Sequence, residues 1–182
     1  RNALPDADAV TTSSPFLAGR IEEMTGCRAT VIADPYEGAR GTPRWEPAGK
    51  LEAAWFGNVV NLAGLDLVLQ GLLAARVPMH LVVVTDITPV AHAWERFRRP
   101  NLAPTIELDV RQWSVEATAR ALRDCDVALL PIDHGLNYYL SKGPGRMVEA
   151  LWAGRFVTAH PLPAYEEFRD WAWIGDDIVE GL

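Results

Sequence analysis

Cysteine is scarce in this chain. Cys27 and Cys125 are the only two in 182 residues, too few for a disulfide framework or a zinc site, and their spacing matches no metal motif. No apolar run approaches the ~20 residues that a membrane span needs. Positive charge is in the minority: 17 Lys and Arg against 24 Asp and Glu leave a net charge of -7, which argues against broad nucleic-acid binding. Arg96, Arg98 and Arg99 form one short cluster, read as a solvated helix end. The opening Arg1-Asn2-Ala3-Leu4-Pro5 lacks the regions of a signal peptide, so the expectation is a reduced, cytoplasmic protein, either free or peripheral at a membrane. Neither G-x-G-x-x-G nor G-x-x-x-x-G-K-[ST] occurs, so nicotinamide cofactors and P-loop chemistry lose their support. Internal repeats and low-complexity segments are also missing. What remains is 49% hydrophobic and 23% charged residues, a globular composition with room for one large domain.

Short apolar runs alternate with longer amphipathic stretches. Ala9 to Thr12 reads as a strand, and Ser13-Ser14-Pro15 then supplies a cap and a first-turn proline for a helix over Phe16 to Met24. Arg28 to Ala33 is a second strand, stopped at Asp34-Pro35. Tyr36 to Lys50 is rich in Gly, Pro and Arg and reads as an exposed loop or linker. Leu51 to Phe56 is a strand ended by Gly57. Leu62, Leu65, Leu69, Leu72 and Leu73 then recur at helical spacing. Leu81 to Thr85 is a continuous apolar run that suits a strand buried on both faces. A helix over Val90 to Arg98, a strand over Thr105 to Val110 and a Ser114-capped helix over Val115 to Arg123 follow. Val127 to Ile132 is another buried strand. A helix begins near Pro144 and ends at Gly154. Phe156 to Ala159 is a strand, Ala164 to Asp170 a short helix and Trp173-Ile174 a last strand, and the residues beyond Gly175 look like the start of a helix. This alternation predicts an α/β fold, a doubly wound parallel sheet with helices on both faces. Such sheets bind ligands at the carboxyl ends of their strands, which directs attention to the loops after Phe56, Thr85, Val110 and Ile132.

The most informative stretch is Ser141-Lys142-Gly143-Pro144-Gly145-Arg146-Met147-Val148-Glu149. Lys142 and Arg146 lie at the expected start of a helix, where aligned peptide dipoles already carry about half a positive charge, so each cation is unfavourable there by roughly 0.3–1 kcal/mol. No acid precedes Glu149. Such a start expects an anion: unpaired backbone amides, glycines that permit close approach and two cations make a phosphate site. Glu149 follows Arg146 by three residues and has two readings. One is an intrahelical salt bridge; the other is a carboxylate that accepts hydrogen bonds from ribose hydroxyls.

From Val127 through the loop to Lys142–Glu149 and on to Ala150-Leu151-Trp152-Ala153-Gly154-Arg155-Phe156-Val157-Thr158-Ala159, the sequence resembles the donor-binding half of a group-1 (family 4) glycosyltransferase of the GT-B fold. The resemblance extends to Trp55-Phe56-Gly57, the Leu62 to Leu73 helix and Ser114 to Leu130. It implies a Rossmann-like domain over residues 51–182, a linker over 34–50, and, over 1–33, the end of an N-terminal domain running into that linker. It implies transfer of a sugar, hexosyltransferase-type, from a nucleoside-diphosphate sugar to an acceptor (glycan, lipid or protein), with no metal or other cofactor. The acceptor is held largely by an N-terminal domain missing from this chain, and the domain alone is inactive. The site residues implied are Gly57, Asn58, Lys142, Gly143 and Arg146 for the diphosphate and Glu149 for the ribose.

The sequence departs from the family pattern at three places. Lys142 stands where the first of two glutamates seven residues apart is usual. Asn58 and Ala63 stand where an arginine and a lysine are frequent, so the diphosphate leans on Lys142, Arg146 and the helix amides. Asn61, Trp113, Ser114 and Tyr138 are further candidates for base or sugar contacts, although a helix cap and a core tryptophan explain Trp113-Ser114 equally well. Of the four histidines, His134 alone lies on a site-facing loop, and His80, His92 and His160 show no ligand spacing. A non-catalytic descendant that binds a nucleotide or a protein, and a sugar-nucleotide epimerase of the same fold, remain as alternatives.

Overall fold

The computed structural model describes residues 7–33, 35–36, 38–44, 46–47, 49–88, 105–133 and 137–182, with the backbone alone at 137 and 138. The expected helix over Val90 to Arg98 and the histidines His92 and His134 lie outside the described residues.

The chain opens with a small βαβ unit, in which β1 (Thr11–Thr12) pairs in parallel with β2 (Thr30–Val31) around helix α1 (Pro15–Thr25). The Ser14 hydroxyl accepts from the Leu17 amide, Pro15 occupies the first turn, and Gly26 closes the helix at φ 72°. The cap and the first-turn proline are the start signals read from the sequence, and a left-handed glycine is a common helix stop. No residue of α1 is buried.

Six parallel strands form the main sheet: β3 (Leu51–Phe56), β4 (Met79–Thr85), β5 (Ile106–Gln112), β6 (Val127–Leu130), β7 (Phe156–Ala159) and β8 (Trp173–Ile174), in the spatial order β5-β4-β3-β6-β7-β8. Counted within this sheet, the order is the doubly wound 3-2-1-4-5-6, whose switch point lies between β3 and β6. Helix α2 (Leu62–Ala75) covers one face. Its Leu65 and Leu72 are fully buried with Ala53, Trp55, Leu81, Val83 and Leu129. Helices α3 (Val115–Asp124) and α4 (Gly145–Trp152) cover the other, where Leu122, Met147 and Ala150 pack on Ala54, Val84, Ala128 and Val157. Each fully buried Leu contributes roughly 1.5–3 kcal/mol, so the central strands are held from both sides. This is the expected α/β, Rossmann-like architecture with helices on both faces. Among the described residues no helix is long and apolar enough to cross a membrane.

Two expectations are corrected. The Gly-, Pro- and Arg-rich stretch after Tyr36 is in part a docked strap rather than an exposed loop. The Gly41 amide donates to the Trp152 carbonyl at 2.9 Å, the Arg44 amide to Gly154 at 3.2 Å, and the Trp152 indole to Gly38 at 2.7 Å. Buried Arg155 donates to the carbonyls of Ala153, Cys125 and Thr42 at 2.7–2.9 Å, stapling strap, α3–β6 turn and α4–β7 turn together. The strap therefore satisfies carbonyls left over at the C-terminal end of α4. Beyond Gly175 the chain makes consecutive tight turns instead of starting a helix. The Asp177 carboxylate accepts from the Val179 amide at 2.9 Å, and Ile178 is buried against the α2 face. A side chain that bonds its own backbone two residues on favours a turn.

Candidate functional site

The loops at the carboxyl ends of β3 and β6 meet at the switch point, and the residues singled out as anion-binding converge there. After Phe56 the chain passes Gly57 and Asn58 into a 3₁₀ turn, Val59–Asn61. After β6 it passes Ile132 and returns through a second 3₁₀ turn, Asn137–Ser141, to Lys142 and α4. Helix α4 starts with neither a side-chain cap nor an acidic residue in its first turn. Its first-turn amides and positive dipole end are therefore left for something else.

Arg146 reaches across the switch point, and its Nη1 donates to the Phe56 carbonyl at 3.3 Å. Its Nη2 is buried, and the guanidinium lies against the Tyr165 phenol. Gly57 is what makes room for the guanidinium, since a Cβ there would stand 3.2 Å from Nη1. Burial holds the Tyr165 phenol above its ordinary pKa, and the Arg146 charge beside it opposes that rise. Lys142 Nζ donates to Asn61 Oδ1 at 2.8 Å and lies 4.0 Å from the centre of the Tyr139 ring. Desolvation first, and the charge of Arg146 second, push the Lys142 ammonium down to about 8.

That shift has a directional consequence. An anion between Lys142 and Arg146 favours the charged lysine, so affinity for an anion placed there is expected to fall as pH rises through about 8. A Lys142→Met variant, with no ammonium to lose, shows no such alkaline limb. Titration calorimetry across this pH range reads the difference. For folding the sign is reversed. The unfolded chain holds the proton up to its ordinary 10.5, so this group's contribution to stability increases between about 8 and 10.5 as the desolvated charge is discharged.

Glu149 is half-buried, and desolvation raises its pKa while Arg146 opposes the rise. No described ion pair joins it to Arg146, so the intrahelical salt bridge does not form and the carboxylate keeps its acceptors. Its charge, after desolvation, raises the pKa of the Tyr36 phenol on the strap.

The other candidates are arranged differently. Asn58 is exposed, and its Oδ1 caps the 3₁₀ turn by accepting from the Val60 amide at 3.1 Å. Asn61 is buried at 7% exposure with its oxygen on Lys142. The Ser114 hydroxyl accepts from Ala117 as the cap of α3, and Trp113, 53% exposed, leaves β5 with its amide on the Thr85 carbonyl. Both stand two strands away from β3, about 10 Å across the sheet. The Tyr138 side chain lies outside the described residues. Gly143 is half-buried between Lys142 and Pro144.

Three participants carried little sequence signal. Tyr139, 2% exposed, supplies the ring beneath Lys142. Buried His160 places Nδ1 3.0 Å from both the amide and the carbonyl of Ile132, fixing the start of the loop that leads to Lys142. Gly64 lets that loop approach α2, since a Cβ there would stand 2.9 Å from the Ile132 carbonyl carbon. A separate open cleft of about 850 Å³, lined by Arg40, Trp152, Phe168, Trp171 and Trp173, lies on the far side of α4 and holds none of these site residues.

No protein-family pattern and no curated protein matches the sequence. Solved structures do. The fold is similar to a point mutant of TarM from S. aureus, solved in complex with fondaparinux, alpha-GlcNAc-glycerol and UDP, with a TM-score of 0.62 at 12% identity over 98% of this chain. It is equally similar to a second TarM structure, with a TM-score of 0.62 at 13% identity. The chain spans 36% of the length of each. TarM is a GT-B glycosyltransferase, and this chain shares the Rossmann-like α/β fold of such enzymes.

Proposed function

We propose that this chain is the donor-binding half of a glycosyltransferase that moves a sugar from a nucleoside-diphosphate sugar to an acceptor. The observation that carries the reading is the convergence of Lys142 and Arg146 on an uncapped helix start at the switch point of the sheet. The resemblance to group-1 (family 4) enzymes supports it, as does the UDP in a TarM structure of the same fold. In this reading residues 51–182 are the donor domain, 34–50 the linker, and 1–33 the end of an N-terminal domain that holds most of the acceptor. A cytoplasmic enzyme, free or peripheral at a membrane, fits a soluble donor.

As the bond between sugar and diphosphate breaks, negative charge grows on the leaving β-phosphate. Lys142, Arg146 and the first-turn amides of α4 are preorganised to stabilise that charge, which is the largest contribution such a half-site can make. Two side-chain cations supply the charge that a bound divalent ion supplies elsewhere, so the proposal assigns no metal. Gly57 and Gly143 let the phosphates approach the backbone, and Glu149 accepts from the ribose hydroxyls.

A thermal-shift panel of UDP, GDP and ADP tests this. At about 100 times its dissociation constant a ligand specific for the native state adds roughly 2.7 kcal/mol. At about 2–4 °C per kcal/mol, that raises Tm by roughly 5–11 °C. One of the three gives this shift if the reading holds; none giving a shift at millimolar concentration removes the donor site.

Glu149→Gln tests the ribose contact. Glutamine keeps the length and one acceptor but loses the charge. Since charge-assisted bonds are roughly twice as strong as neutral ones, the variant binds the ribonucleotide about tenfold less tightly. The 2′,3′-dideoxy analogue binds wild type and variant alike. Equal losses for the two ligands in calorimetry would remove the ribose assignment.

A further inference from the structure

Lysine has a long side chain with nearly free torsions, and holding it in one place costs about 2 kcal/mol of rotamer entropy. Beside Arg146, an untethered ammonium would also swing outward, away from a like charge. Among the described residues, two restraints on Lys142 come from opposite sides of the switch point. Asn61, on the 3₁₀ turn after β3, offers Oδ1 at 2.8 Å. Tyr139, on the 3₁₀ turn before α4, offers its ring face at 4.0 Å, and the Lys142 amide donates to the Tyr139 carbonyl at 3.0 Å. Both restraining residues are buried, at 7% and 2% exposure, so neither is itself free to follow the ammonium. Neither carries a charge that would neutralise it. An amide oxygen and a ring face are acceptors that position a cation and leave its charge available to an anion.

We infer that Asn61 and Tyr139 are positioning residues that hold the Lys142 ammonium in the anion site before the ligand arrives. This rests on the donor-site reading above and reassigns Asn61 from a contact with base or sugar to a contact with Lys142. The clamp spares the incoming diphosphate the cost of ordering the lysine, and it ties the β3 loop to the β6 loop so that both cations of the site sit on one frame. Among the described residues, the titratable groups on the surrounding elements include Arg146 and Glu149 on α4, Asp133 on the loop after β6 and Tyr165, which lies against Arg146.

The test uses Asn61→Leu, Tyr139→Leu and Tyr139→Phe, each also built on Lys142→Ala, with two readouts. The first is calorimetry with the nucleoside diphosphate that stabilises wild type and with inorganic pyrophosphate. Asn61→Leu and Tyr139→Leu weaken both ligands about 2- to 30-fold. Tyr139→Phe, which keeps the ring face, binds like wild type, and none of the three changes affinity further on Lys142→Ala. The second readout needs no ligand: the Lys142 ¹³Cε resonance, assigned by its loss in Lys142→Ala, titrates near pH 8 in wild type. Its midpoint moves in the two leucine variants and stays in Tyr139→Phe. Losses that persist on Lys142→Ala, or a Tyr139→Phe variant as weak as Tyr139→Leu, would overturn the clamp. Intact binding and an unmoved midpoint in both leucine variants would do the same. A wild type that binds no diphosphate while the midpoints move as expected would leave the clamp standing and remove the donor-site reading instead.

Discussion

Alanine at Lys142 or at Arg146 weakens binding of the nucleoside diphosphate about 10- to 150-fold, because hydrogen bonds to charged groups contribute roughly 1.5–3 kcal/mol each. The two losses have different structural accompaniments. Lys142 is tethered through its ammonium to Asn61 and Tyr139, and its removal leaves the backbone of α4 in place. Arg146 also donates to the Phe56 carbonyl and fills the space that Gly57 leaves open, so its removal loosens β3 against α4 as well. Free nucleoside, which offers no phosphate, binds both variants nearly as it binds wild type. Equal weakening of nucleoside and diphosphate would mean that the phosphate assignment is wrong. The measurement is a calorimetric titration of each variant with nucleoside, monophosphate and diphosphate of the base selected by the thermal panel.

The largest effect on stability is expected at the strap. Gly154 closes α4 at φ 75°, and a Cβ there would stand 2.7 Å from the Thr42 carbonyl and 2.8 Å from the Pro43 nitrogen. Gly154→Ala combines about 1–2 kcal/mol for a left-handed residue with a side chain and about 1–3 kcal/mol for overpacking against backbone that cannot step aside. The stiffer unfolded chain returns about 0.4–1 kcal/mol. The net loss is about 1–4.5 kcal/mol, a fall in Tm of roughly 2–18 °C. Gly41→Ala acts from the opposite side, since its Cβ would collide with the Ala153 carbonyl, and it opens residues 38–44 to proteolysis. Gly19, exposed on α1 with nothing within 4 Å of its Cβ, is the control: Gly19→Ala leaves the protein as stable or up to about 1 kcal/mol more so. Equal Tm values for Gly154→Ala and wild type would mean that the strap is not docked in solution.

Much of this frame was legible in the sequence because it rests on periodic burial and on local signals. Strands at Leu51–Phe56, Phe156–Ala159 and Trp173–Ile174 coincide with their apolar runs, and the caps at Ser14 and Ser114 act where hydroxyls precede apolar periodicity. The strap was not legible. It docks through glycines, carbonyls and one indole N–H, and none of these leaves an alternating or helical pattern; Gly, Pro and Arg in succession look like solvent-exposed chain. The site was legible in part. Lys142 and Arg146 stood out because cations at a helix start oppose the dipole, and the structure brings them to one crevice. A polar side chain beside a glycine loop carries no sequence mark saying which neighbour it serves, so from sequence Asn61 reads as a ligand contact. Tyr139 reads in the sequence as a loop aromatic that stacks on a base or sugar or packs on the surface, not as a partner of Lys142. Tyr138 and Tyr139 share composition and loop position, so nothing in the sequence singles out Tyr139 as a ring beneath the lysine. Glu149 illustrates the limit of spacing arguments, since i,i+3 geometry permits an ion pair with Arg146 that the helix does not make.

The proposed site and the aromatic cleft are two distinct places among the described residues. One is the switch-point crevice between Gly57 and the start of α4; the other is the aromatic cleft of about 850 Å³ beyond the far side of the same helix. A crystal structure of this chain with the stabilising nucleoside diphosphate separates them directly. The account predicts phosphate oxygens within about 2.7–3.2 Å of Lys142 Nζ, an Arg146 nitrogen and the first amides of α4, with the ribose hydroxyls on Glu149. A diphosphate seated among Trp152, Trp171 and Trp173, with Lys142 and Arg146 untouched, would contradict it.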